Sequence, residues 1–209
     1  MSHPFPRARW AALAWLGIWL PTYALVYGFG NFVHVCDVAV ILTCAGLWLG
    51  SPLLLSMQAL NILIDIAWDL DLFWRLATGR HLMGGTEYMW DPKYALGVRL
   101  LSLFHLALPA VLLWALRRLG YDRRALAFQS VLGLALIAGG RALAPESNVN
   151  YAWSDPFFHR SWGTAPAHVA VIFAGLVILL YLPAHAILSR LFARPSRGAL
   201  ATAVPDALA

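Results

Sequence analysis

The stretch AHVAVIFAGLVILLYLPAHAILSRLF, residues 167–192, holds Arg190 as its lone Lys, Arg, Asp or Glu. A helix of that length rises far enough to cross the roughly 30 Å hydrocarbon core of a bilayer. The rest of the chain has the same character. Of 209 residues, 61% are hydrophobic and 12% charged, and the mean hydropathy is +0.68. A soluble domain is about 45–50% apolar and about a quarter charged. Too little charge is present to keep a water-facing surface solvated, whereas lipid tolerates such a surface. The fold class read from this is all-α, a polytopic transmembrane bundle of about six helices.

Working outward, an apolar run from Trp10 to about Gly28 follows Arg7 and Arg9. No small-residue cleavage site follows it, so it reads as a retained first helix, kinked or broken at Pro21. A second helix is expected over Asn31–Trp48, a tight turn at Gly50-Ser51-Pro52, and a third helix over Pro52–Trp74. The fourth is expected over Ala95–Leu116, the fifth over Ala125–Leu143 and the sixth over Ala167–Phe192, bending at Pro183. Aromatic-rich loops fill Arg75–Tyr94 and Ala144–Pro166. Residues 1–192 thus form a single transmembrane domain, and 193–209 form an Ala/Pro-rich disordered cytoplasmic tail.

Arginine placement orients the bundle. With the N-terminus inside, the inner segments hold Arg7, Arg9, Arg117, Arg118, Arg123, Arg124, Arg190, Arg194 and Arg197. The outer ones hold Arg75, Arg80, Lys93, Arg99, Arg141 and Arg160. The bias favours a multi-pass protein of the bacterial cytoplasmic (inner) membrane with both termini on the cytoplasmic side. The basic balance of +5 belongs to those turns. With no basic stripe interleaved with aromatics, nucleic acid is not an expected partner, and membrane lipids are. Cys36 and Cys44 lie roughly 12 Å apart along one helix, too far for a disulfide.

Ionisable groups within a membrane are costly, so their positions are informative. His34 and Asp37 fall on one face of the second helix. Gln58, Asn61, Asp65 and Asp69 fall within about an 80° arc of the third. Ser102 and His105 lie on the fourth, Asn148 and Asn150 in the second outer loop, and His168 at the start of the sixth helix. Asp71 points away from the stripe, toward the interface. The expected arrangement is one outward-facing polar cavity lined by His, Asp and Asn. Its candidate catalytic residues are His105, Asp37, Asp65, Asn148 and Asn150. Its candidate metal ligands are His34, Asp37, Asp65, Asp69, His105 and His168.

Three readings fit such a cavity. The cluster could only fix helix packing. It could be a membrane-embedded enzyme, lipid-directed or metal-dependent, since a His beside an Asp is the usual arrangement of a general base and His with carboxylates suits a divalent metal. It could be a small carrier or proton pathway, although no internal repeat is present and the inner side offers only Tyr181 and His185. A haem on His105 is a further, unspecific option. No HExxH, CxxC, P-loop or nucleophile elbow occurs.

The stretches NFVHVCDVAVILT (31–43), SLFHLALP (102–109), RRLGYDRRA (117–125), NVNYAW (148–153) and YLPAH (181–185) resemble a group of bacterial polytopic membrane proteins without an established activity. The similarity covers about Pro21 to Phe192. Carried over by position, it favours Asp37, His105, Asn148, Asn150 and His185, with His34 and Asp69 after them. It implies the membrane class and no mechanism.

Overall fold

A computed structural model describes residues 3–143 and 147–193. The tail expected to be disordered lies outside the described residues from 194 onward. Among the described residues the structure is helical, without strands. Its helices are α1 (Ala8–Val26), α2 (Val35–Leu49), α3 (Pro52–Ala59), α4 (Ile62–Thr78), α5 (Leu96–Leu100), α6 (Phe104–Leu119), α7 (Ala125–Leu143), α8 (Ala165–Gly175) and α9 (Leu182–Leu191).

Three helical stretches are long and apolar enough to cross a membrane: Leu96–Leu119, Ala125–Leu143 and Ala165–Leu191. The pair α3–α4, bent by 43°, would make a fourth. α2 is apolar but shorter. The chain is thus built as a helical membrane protein. α1 packs on α2, α2 on α3, and both α3 and α4 on α6, while α7 lies between α3 and α8. Trp19, Leu55, Leu60, Leu112 and Leu116 are fully buried in the shared core.

Several elements differ from the sequence expectation. α1 runs through Pro21 without a break. The second helix starts at Val35, because Phe29–Val33 forms a 3-10 turn and His34 is extended. The third helix is interrupted at Leu60–Asn61, which separates α3 from α4. The last stretch contains a π-helical segment, Leu176–Tyr181, ahead of Pro183. The Gly50 turn is as expected. Gly50 closes α2 at φ 62°, Ser51 Oγ accepts the Leu54 N–H, and Pro52 occupies the first turn of α3. At Gly140 of α7, a Cβ would lie 2.8 Å from Val149 O, so only glycine lets the loop between α7 and α8 seat this closely.

Candidate intramembrane polar site

The break at Leu60–Asn61 divides the polar stripe. On its α3 side, Gln58, Asn61 and Gln129 of α7 form a closed ring of carboxamides. Gln58 Nε2 donates to Gln129 Oε1 (3.5 Å), Gln129 Nε2 to Asn61 Oδ1 (3.2 Å), and Asn61 Nδ2 to Gln58 Oε1 (3.2 Å). The second Gln129 N–H reaches Tyr181 Oη at 3.2 Å. Tyr181 belongs to the π segment, whose extra residue per turn re-aims one side chain. All of these residues are buried. The ring is neutral and each carboxamide both donates and accepts, which is the favourable condition for polar groups away from water.

On the α4 side, Asp65 meets His105 of α6. His105 Nδ1 and Asp65 Oδ1 share a hydrogen bond at 2.7 Å, with side-chain exposures of 4% and 2%. The imidazole is held flat between two rings: Trp68 stacks at 4.5 Å and 19°, Phe104 at 4.3 Å and 30°. When Nδ1 carries the proton of that bond, Nε2 presents a lone pair. Nε2 makes no hydrogen bond among the described residues. On the facing turn of α4, three buried atoms, Asp65 Oδ2, Trp68 Nε1 and Asp69 Oδ1, lack a hydrogen-bond partner among the described residues. Packing fixes the imidazole while leaving acceptors and a donor uncommitted beside it.

Further groups border this pair. Asn31 Nδ2 donates to Asp37 Oδ2, so the partner of Asp37 is the 3-10 turn and not His34. Tyr23 Oη and Ser102 Oγ share a 2.5 Å hydrogen bond. The Tyr88 phenol, from the first outer loop, faces Ser102 and Trp68, and burial pushes it well above its ordinary pKa.

The structure uses other sequence candidates differently. Asn150, in the left-handed region at φ 52°, donates to Val33 O and Leu136 O and accepts from Val35 N, stapling the second outer loop to α2 and α7. Asn148 closes a turn on Trp153 and Ser154. His168 spends both ring nitrogens on backbone, Nε2 on Tyr151 O and Nδ1 on Trp162 N. These three therefore hold a loop and bring no free polar atom to His105. His185 pairs with Tyr121 at 2.8 Å, apart from the pair. Asp71 is buried: it accepts backbone N–H groups of Leu82, Met83, Gly84 and Thr86, and so folds the loop after α4. Asp155 does the same for the loop between α7 and α8. Burial alone would raise its carboxyl, but the N–H groups of Phe158, Phe157 and Arg160 and the Trp162 indole outweigh that and leave it below the ordinary range.

Of the expected metal ligands, Asp65, Asp69 and His105 share one region. Among the described residues, no three His, Cys, Asp or Glu side chains are grouped so as to hold a metal ion. Cys36 and Cys44 are free. Sequence reasoning missed Gln129, Trp68 and Tyr88. Gln129 was visible as a carboxamide in an apolar helix, and Trp68 as the residue one turn beyond Asp65. Comparison with protein-family models, curated proteins and solved structures returns no match for this chain.

Proposed function

We propose that this chain is a membrane-embedded enzyme in which His105, oriented by Asp65, moves a proton to and from a hydroxyl-bearing lipid substrate. The observation that carries the reading is the 2.7 Å Asp65–His105 bond, with Nε2 uncommitted between two aromatic faces. In that state Nε2 takes the proton of a substrate hydroxyl, and the Asp65 carboxylate stabilises the imidazolium that forms. Asp65 Oδ2 and Asp69 Oδ1 suit hydroxyl donors, and Trp68 Nε1 suits an acceptor oxygen.

On this reading substrate reaches His105 past His34, Cys36 and Tyr88, which are only half-buried, beneath the two aromatic loops. With the basic Arg117–Arg124 turn on the cytoplasmic side, that approach opens outward in a bacterial inner membrane. A proton pathway is less well supported. Its route from Asp65 toward the Arg-rich end would cross the neutral carboxamide ring, which holds no titratable group except the Tyr181 phenol.

The test uses protein in lipid nanodiscs containing a total bacterial lipid extract, followed by mass spectrometry over time. Time-dependent conversion of a lipid that slows on His105→Gln, with folding retained, supports the enzyme. Proton flux in proteoliposomes without any lipid conversion would replace it with the pathway reading.

A further inference from the structure

A second site lies away from the Asp65–His105 pair, on the flank where α7 meets α8. Ala138, Arg141, Ala142, Ala165, Pro166 and Val169 line an open groove of about 380 Å³. Arg141 stands in the last turn of α7, which is one of the candidate membrane spans. Ala138 and Val169 lie one turn deeper on their helices, so the groove descends from the Arg141 level toward the bilayer centre. Its other lining residues, Ala138, Ala142, Ala165, Pro166 and Val169, are small or apolar and bring no polar side chain into it.

The rim is cationic. The Arg141 guanidinium stacks on Trp153 at 4.0 Å and donates one N–H to Ala152 O at 2.7 Å. Those contacts hold its plane and leave most of its N–H donors for a ligand. α8 begins beside it, with no side-chain cap and no acidic residue in its first turn, so its positive end adds to the same field. Tryptophan at this level marks the headgroup region.

We infer that the groove holds an anionic phospholipid, its phosphate against Arg141 and one acyl chain along Ala138 and Val169. Charge complementarity chooses the occupant: a zwitterionic lipid brings its own cation to the rim, whereas phosphatidylglycerol brings net negative charge. The site is separate from the proposed reaction centre, so either can fail without the other.

Native mass spectrometry of the detergent-released full chain, titrated with phosphatidylglycerol and with phosphatidylcholine of identical acyl chains, tests this. One phosphatidylglycerol should be retained with at least about tenfold preference. Arg141→Gln should bring that preference near unity, and Arg141→Lys should restore part of it. Ala138→Trp fills the trough without touching the guanidinium and should weaken retention of both lipids. Equal retention of the two lipids by the unmodified chain, or a preference that survives Arg141→Gln, overturns the proposal. So does undiminished retention by Ala138→Trp.

Discussion

The carboxamide ring at the α3–α4 break and the Asp65–His105 pair one turn further along α4 are neighbours in sequence and opposites in chemistry. The ring is neutral, buried and closed, each of Gln58, Asn61 and Gln129 serving as donor to the next. The pair is ionisable and open, with Asp65 Oδ2 and Asp69 Oδ1 left without partners among the described residues and His105 bonded there through Nδ1. Burying a polar group without a partner costs a few kcal/mol. The proposed proton transfer gives the open half of the stripe a use that the closed half lacks.

The sharpest way to break this contrast is to exchange its halves. His105→Gln should lower lipid turnover by roughly 10²–10⁴-fold, the usual contribution of a general acid–base, while the melting temperature changes little. Turnover that persists at a comparable rate would reduce the pair to packing. Gln129→Leu should do the reverse. It leaves the Gln58 amide without its acceptor and Asn61 Oδ1 without its donor, and should cost about 1–3 kcal/mol of stability per unpaired group while turnover per folded molecule holds. Thermal unfolding in detergent reads the first effect, and a rate normalised to folded protein reads the second.

Much of this contrast was legible in the sequence, and the decisive part was not. The spacing of Gln58, Asn61, Asp65 and Asp69 marks a single face correctly for a continuous helix. The division at Leu60–Asn61 was hidden because neither residue is a proline or a glycine, the usual local signals of a break. Pro21 signals a break and α1 passes straight through it, so tertiary packing overrides local preference in both directions. His34 and Asp37 have the spacing of helix neighbours, yet His34 is extended and Asp37 turns to Asn31. Asn148, Asn150 and His168 stand out in the sequence as polar residues near the membrane, and their hydrogen bonds in the structure go largely to loop backbone. Which of two polar residues is satisfied depends on partners far along the chain, such as Gln129 for Asn61, and spacing carries no information about those.

The outer loops extend the comparison at a smaller scale. Like the ring, Asp155 is saturated with hydrogen bonds, but it is charged. Its carboxyl is lowered in the folded protein, so its contribution is present above the ordinary carboxylate pKa and is lost as pH falls through the depressed one. Protection of the Phe157 and Phe158 amides, taken relative to the intrinsic exchange rate at each pH, should therefore fall upon acidification below that ordinary range, and Asp155→Asn should bring the lower protection to neutral pH. Protection that ignores both changes would remove the carboxylate from its templating role.

The account rests on His105 presenting a free Nε2 lone pair because Asp65 holds the proton on Nδ1. ¹⁵N NMR of histidine-labelled protein in nanodiscs measures this directly, with His105→Gln assigning the resonance. The expected spectrum shows a protonated Nδ1 and an unprotonated Nε2, with that preference lost in Asp65→Asn. A proton resident on Nε2 in the unmodified chain, or a tautomer indifferent to Asp65→Asn, would contradict it.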